Sequence, residues 1–313
     1  MDWTDRHCRY FFRQMTQEAM LYTEMVVADA IIYGDKDFFL KFDKIEHPVG
    51  LQIAGSDPIR LSEAAKLGEE YGYDEINLNL GCPSRKDQEG NFGACMMKDL
   101  DLVEKCLSKI KESVKVPVTV KCRIGLDDDD PYQVLPNFIE RIKKIDIDTF
   151  IIHARKAILN GLDPKKNREV PPLDYDIVRL LKRKWPELNF ILNGGLSSIS
   201  DAKREISSGR TDLDGVMLGR GAVGQPWIFR ELAGKAKMTV QEKWNVMERH
   251  VHLAYEFYGM KMGLKMMRKH IKAYLINFDC GDLIPKAMSI DEPSELTDFL
   301  GQRELEDRLE HSY

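Results

Sequence analysis

Short β-branched runs, each ending in polar or glycine-containing residues, alternate along this chain with amphipathic stretches. No other feature constrains the fold as much. The runs are 21–26 (LYTEMV), 49–54 (VGLQIA), 75–80 (EINLNL), 118–124 (VTVKCRI), 149–154 (TFIIHA), 190–193 (FILN) and 215–218 (GVML). Between them, segments such as 60–71 and 100–114 carry apolar residues at helical spacing. Strands that alternate with helices pair in parallel, because a parallel neighbour is reached only through a crossover.

Two architectures accept this rhythm. An open doubly wound sheet holds seven strands comfortably, whereas a barrel needs an eighth, whose natural place is ahead of Met1. An open sheet gathers its site at one switch point. Here polar residues end nearly every run: Gln52, Asn79, Lys121, His153, Asn193 and Arg220. A site fed by many strand tips belongs to a (β/α)8 TIM barrel, so an α/β barrel with its first strand truncated is expected. Strand signals stop after residues 224–227, and the pattern over 240–278 is helical throughout. The expected division is a catalytic barrel over 1–233, a helical domain over 234–278, and an acidic tail over 279–313. Either 292–309 forms a short amphipathic helix, or the whole tail is mobile.

The net charge of −5 argues superficially against a nucleic-acid partner. Ten acidic and three basic residues in 279–313 account for −7, which leaves +2 for the rest. Residues 259–278 contain Lys261, Lys265, Arg268, Lys269 and Lys272 and no acid, and 155–184 holds nine basic against four acidic residues. Such asymmetry fits a polyanionic partner as well as it fits ordinary solvated helix faces. The six cysteines form no CxxC pair, so neither a zinc site nor a disulfide framework is expected. With no secretory leader and no apolar run long enough to span a bilayer, a cytoplasmic protein without membrane contact is expected.

Asn193-Gly194-Gly195 and Gly219-Arg220-Gly221 follow the last two runs. Barrels commonly hold a phosphate there, on backbone N–H groups that glycine leaves accessible, and Arg220 adds a charge. Lys121 ends an otherwise apolar run and must either face the barrel mouth or be paired, for example with Glu24, since an unpaired buried ammonium is costly. Gln52 and His153 are hydrogen-bonding groups at neighbouring strand ends. Cys82, between Gly81 and Pro83, is placed to act as nucleophile or proton donor, but Cys95 rivals it and spacing alone does not choose.

Taken in order, these segments resemble the tRNA-dihydrouridine synthases, FMN-binding barrels with a C-terminal helical domain. The likeness spans about 2–275 and rests on DWTDRHCR, LYTEMV, NLNLGCPS, FGACMM, VKCRIG, IIHARKA, NGG, LGRG and GLKMMRKHIKAYL. The phrase GLDPKKNREVPPLDY resembles the bacterial A-type subfamily, which acts on D-loop uridines 20 and 20a. The resemblance implies Cys82 as general acid, which would settle the rivalry with Cys95. It implies Gln52, Lys121, His153, Asn193, Gly194, Gly195, Gly219 and Arg220 as FMN contacts, with Lys121 beside the flavin N1/O2 edge. Asn79, Lys165, Arg168, Arg268 and Lys269 are implied as RNA contacts, with NADPH as reductant, tRNA as substrate and a monomeric enzyme. The family's opening strand, ending in Ala-Pro-Met before the DWTD motif, has no counterpart here. The competing expectations are an FMN barrel acting on a free pyrimidine and a flavin-less RNA-binding barrel.

Overall fold

The computed structural model describes residues 3–206 and 213–300. The chain forms two compact units. The first comprises Met1–Arg6, Met20–Leu196 and Ser200–Leu218; the second comprises His7–Ala19, Ser197–Ile199 and Gly219–Tyr313.

The first unit is a parallel α/β half-barrel of the TIM type. Its strands are β1 (Leu21–Tyr22), β2 (Val26–Val27), β3 (Val49–Ala54), β4 (Glu75–Leu80), β5 (Val118–Arg123), β6 (Thr149–His153), β7 (Asn189–Asn193) and β8 (Gly215–Met217). They run in the order β1-β3-β4-β5-β6-β7-β8, and β2 also pairs with β3. The run LYTEMV is therefore interrupted rather than continuous. The Thr23 hydroxyl takes the place of a ladder carbonyl, accepting the Gln52 N–H at 3.0 Å while donating to the Glu24 carbonyl at 2.7 Å. The backbone is free to leave the ladder between β1 and β2 without orphaning Gln52.

Parallel register pairs Gln52 with Asn77, Asn77 with Thr119, Asn79 with Lys121, Arg123 with His153, and His153 with Asn193. Paired residues share a sheet face, and side chains alternate along each strand, so these polar groups line one surface. The intervening residues Leu51, Ile76, Val120, Phe150, Ile152, Phe190 and Leu192 are apolar and buried. Leu51 and Ile76 meet the helix Pro58–Glu70 at Gly68, where a Cβ would stand 2.6 Å from Leu51 Cδ2. Farther round, Phe150 stacks on Phe190 with ring centroids 5.9 Å apart.

Each of the four long helices flanking these strands opens on an aspartate. Asp57, Asp99, Asp130 and Asp174 accept backbone N–H bonds at the starts of Pro58–Glu70, Leu100–Ser113, Pro131–Ile142 and Tyr175–Lys184. Such a cap contributes about 1 kcal/mol, and Pro58 and Pro131 sit at a first turn where their missing N–H costs nothing.

In the second unit the long helical pattern breaks at Gly259, whose φ of +75° separates helices Val240–Tyr258 and Met260–Asn277. The two helices come close at Gly263, where a Cβ would fall 2.7 Å from the Ala254 carbonyl oxygen. Of the two alternatives left open for the tail, its first part takes the helical one. Residues Ile284–Ser289 and Pro293–Leu300 are helical, because Leu296, Phe299 and Leu300 recur at helical spacing and are buried. Trp244 Nε1 donates to the Leu300 carbonyl at 2.9 Å. The remainder of the expected 292–309 helix lies outside the described residues. Among the described residues, no helix is long and apolar enough to cross a membrane.

Candidate functional site

The polar face of the first unit is wired as one line. Starting at the strand N-termini, Tyr22 and Thr119 donate to Glu75 Oε1 at 2.9 and 2.5 Å. Asn77 Nδ2 donates to Thr119 Oγ1 at 2.7 Å, Gln52 Nε2 to Asn77 Oδ1 at 2.9 Å, and Asn79 Nδ2 to Gln52 Oε1 at 2.8 Å. The line ends at the candidate acid: Asn79 Oδ1 accepts the backbone N–H groups of Gly81 and Cys82 at 3.1 and 3.0 Å. An asparagine side chain closing a turn on its own following residues is a familiar local device. Here it fixes the loop on which Cys82 is carried. Gln52 and Asn79, expected to touch cofactor and RNA, are here engaged in holding the neighbouring structure.

Lys121 lies next along the face, opposite Asn79 in the β4–β5 register. Glu24 is not its partner: the Glu24 carboxylate accepts the Trp3 N–H at 2.6 Å, and among the described residues Lys121 has no hydrogen bond or ion pair. Burial, and then the charge of Arg123, push the Lys121 ammonium down to about 8. Two cations that pair with no carboxylate among the described residues make this corner of the face electropositive.

Arg123 was not singled out by the sequence, yet it ties the site together. Its Nε donates to the Gly81 carbonyl at 3.1 Å, and its Nη1 reaches the carbonyls of Lys156 and Asn167 at 3.2 and 2.9 Å. One guanidinium therefore joins the Cys82 loop to the basic loop containing Lys165 and Arg168, both of which are exposed. Asn167, fully buried, folds that basic loop. Its Nδ2 donates to the Ile158 carbonyl at 2.9 Å and its Oδ1 accepts the Ile158 N–H at 2.8 Å. The only sequence signal for either residue is a polar group inside an otherwise matched motif.

His153 and Asn193 are adjacent and buried at the ends of β6 and β7, and Asn193 Nδ2 donates to the Met217 carbonyl at 2.9 Å. Gly194 and Gly195 follow with φ of +107° and +72°, so glycine is required at both. A Cβ on Gly194 would press to 3.1 Å from the His153 ring, and one on Gly195 to 2.4 Å from Leu173. Lys121, His153, Asn193 and this glycine pair are the groups of the first unit able to hold a cofactor. Gly219 and Arg220 are exposed and belong to the second unit, as do Arg268 and Lys269. Arg268 Nη2 bonds the Ile290 carbonyl at 2.8 Å and the Asp291 carboxylate at 2.6 Å.

Of the two rival thiols, Cys95 Sγ donates to the Phe92 carbonyl at 3.1 Å, whereas Cys82 is carried on the Asn79-held turn. Among the described residues no cluster of His, Cys, Asp or Glu could hold a metal ion.

The tRNA-dihydrouridine(20/20a) synthase of Shewanella oneidensis is 50% identical over 247 residues, covering 78% of this chain and 72% of the relative. The protein of the same name from Vibrio vulnificus is 44% identical over 292 residues, covering 87% and 88%, and that from Escherichia coli K12 is 51% identical over 241 residues, covering 75% and 68%. Among solved structures, the old yellow enzyme homologue from Zymomonas mobilis superposes with a TM-score of 0.54 at 15% identity, covering 78% of this chain and 87% of that one, a likeness of fold alone. The family described as "Dihydrouridine synthase (Dus)" matches residues 1–301. On that match and these identities, the chain belongs to the dihydrouridine synthase family.

Proposed function

We propose that this protein reduces D-loop uridines of tRNA, of the 20/20a class, to 5,6-dihydrouridine, with FMN as cofactor, NADPH as reductant and Cys82 as proton donor. One observation carries the reading. Cys82 is held by Asn79 at the end of a line of hydrogen-bonded side chains, beside a lysine that pairs with no acid among the described residues. The names of the close relatives supply the substrate class.

The chemistry of the donor set fits a flavin phosphate. Lys121 and Arg123 offer positive charge unmatched by a carboxylate, and Gly194 leaves the His153 ring uncovered where any side chain would collide with it. Lys121, His153, Asn193, Gly194, Gly195 and Gln52 are the residues assigned to that group; Gly219 and Arg220 are assigned on the family resemblance alone. When bound, FMN supplies the hydride that saturates C6 of uracil.

The rest of the work falls to the chain. The C5–C6 double bond of uracil is conjugated to the C4 carbonyl, so saturation at C6 leaves enolate charge that is quenched only by a proton at C5. The Cys82 thiol holds that proton at Sγ. Lys121 would offset negative charge near the reacting ring. A nucleotide stacked inside folded RNA cannot enter such a site, so the target base is turned outward. Lys165 and Arg168 would bind the phosphates that flank it, and Arg268 and Lys269 would add contacts from the helical region. Each phosphate so bound steepens the loss of affinity with salt, which an enzyme for a free pyrimidine would not show.

The test is mass spectrometry of D-loop fragments from unmodified tRNA incubated with the FMN-loaded protein and NADPH. Fragments should gain two hydrogens, and Cys82→Ala should abolish that gain while flavin content and NADPH oxidation persist. Normal dihydrouridine formation by Cys82→Ala, or none by the loaded wild type, would overturn the reading.

A further inference from the structure

Asp87 has no part in the mechanism above, yet it is only 5% exposed, and its Oδ2 is buried with no hydrogen-bond partner. A buried carboxylate oxygen left without a donor is unfavourable and calls for a physical reason. Asp87 lies in the short helix Arg85–Glu89, whose N-cap Ser84 accepts the Asp87 N–H at 3.1 Å. The helix follows directly on the Gly81-Cys82-Pro83 turn, so Asp87 is folded back toward Cys82.

Gly93 shows how closely the two side chains converge. It has φ of +75°, and a Cβ built on it would stand 3.5 Å from both Cys82 Cβ and Asp87 Cβ and 2.7 Å from the Cys82 carbonyl oxygen. The two side chains thus flank one small space that a side chain at 93 would block. The loop is fastened at both ends: Phe92 N–H donates to the Asp87 carbonyl and Ala94 N–H to the Cys82 carbonyl, each at 2.9 Å. Other charged groups nearby are engaged elsewhere or face water. Lys98 pairs with Asp127 at 3.3 Å, and Arg85, Lys86 and Glu89 are exposed on the same short helix. Arg123 donates to three carbonyls, Lys121 approaches from β5, and Cys95 donates to Phe92.

We propose that Asp87 is a positioning residue for Cys82: its unpaired carboxylate oxygen faces the sulfur and keeps Cys82 a protonated thiol. The role assigned to this thiol rests on the proton-donor reading of Cys82. Burial, and next Asp87, push the Cys82 thiol up to about 11 from its ordinary 9. A general acid must carry its proton when substrate arrives, and a thiolate beside a carboxylate is disfavoured. In the step itself the S–H proton passes to C5 and the S–H electron pair stays on sulfur. A proton from water then restores the thiol, with no change in the oxidation state of sulfur. The carboxylate shortens the life of the resulting thiolate, which would otherwise be open to alkylation or oxidation.

The experiment is the pH dependence of Cys82 alkylation by iodoacetamide in the full chain, read on the Cys82 peptide by mass spectrometry. It needs no tRNA, FMN or NADPH, so its outcome is independent of whether Cys82 serves the proposed reaction. In the wild type the midpoint should lie near 11, clearly above 9. In Asp87→Asn and Asp87→Val it should fall by about one pH unit, which makes Cys82 roughly tenfold more reactive at mildly alkaline pH. The alkaline limit of dihydrouridine formation should move down with it. A wild-type midpoint at or below 9 overturns the proposal without reference to any variant. So does an unchanged midpoint in the variants.

Discussion

The barrel unit and the helical unit both bury polar side chains, but in opposite manners. In the barrel, Glu75, Thr119, Asn77, Gln52 and Asn79 pass hydrogen bonds from one to the next until the last holds the Cys82 turn. In the helical unit three imidazoles are packed like aromatic rings. His250 lies flat on Phe11 with centroids 3.8 Å apart, stacks on His7 at 4.7 Å and meets the His270 ring edge at 4.8 Å. His250 Nδ1 lies 2.8 Å from the Tyr274 hydroxyl, and its Nε2 is buried with no hydrogen-bond partner. A satisfied line of polar groups fixes geometry, whereas a stack of neutral rings fills volume and depends on remaining uncharged.

Acid should expose this difference most strongly. Burial, and then neighbouring positive charge, lower His250 well below its ordinary 6.5 and His270 to about 3. Below 6.5 the unfolded chain binds protons that the folded unit refuses, so stability falls as pH falls. At about 1.4 kcal/mol per pH unit for each histidine, the two together remove roughly 4 kcal/mol by about pH 5. Hydrogen exchange should show residues 240–277 opening before 118–153 as pH drops, and His250→Phe should move that opening to lower pH. If both segments open together, the histidine stack is not the acid-sensitive element.

Next in size is the loss of Arg123. Arg123→Ala leaves the carbonyls of Gly81, Lys156 and Asn167 without their donor, a cost of about 3 kcal/mol if water reaches only some of them. Proteolysis within 155–170 should accelerate and dihydrouridine formation should fail. Arg123→Lys restores charge without the forked donors and should recover little. Full rescue by lysine would mean that charge, not the three-way tie, is what matters.

These two regions were not equally legible in the sequence. Strand ends such as Gln52, Lys121, His153 and Asn193 could be placed because alternation along a strand and the βα rhythm are local patterns, and the family motifs fall on them. The helix boundary at Gly259 was hidden because the apolar and basic pattern continues across it, and only the left-handed backbone reveals the break. Arg123, Asn167 and Asp87 escaped for another reason. Their partners are 42, 44 and 9 positions away or, for Asp87, a thiol across a glycine gap, and no local spacing encodes such meetings. Leu296, Phe299 and Leu300 were diluted by the acids around them, although their spacing already marks one helix face.

Asn79 tests the link between the line and the chemistry. Asn79→Ala removes both acceptor contacts to the Cys82 turn and the donor to Gln52, which should cost about 2 kcal/mol. Dihydrouridine formation should fall while tRNA affinity changes much less, if the residue acts by holding Cys82. A loss confined to tRNA affinity would instead assign Asn79 to RNA contact alone.

The smallest effect is expected at the far end of the same line. Glu75 accepts from Tyr22 and Thr119, and its pKa is raised because burial outweighs those two hydrogen bonds, with Asp148 adding to the rise. For a raised carboxyl the sign is the reverse of the histidines: stability is fully present at low pH and is lost as pH climbs above the ordinary 4.5. Glu75→Gln keeps an acceptor for both hydroxyls and removes the charge, so it should match the wild type in acid and exceed it near neutrality by no more than about 1 kcal/mol. Melting temperatures of the two proteins compared across that range decide the matter. A gap that does not vary with pH would mean that Glu75 has the same pKa folded and unfolded, and so is ionised in the fold near neutrality. The barrel line would then carry a buried anion of its own, opposite in character to the neutral stack around His250.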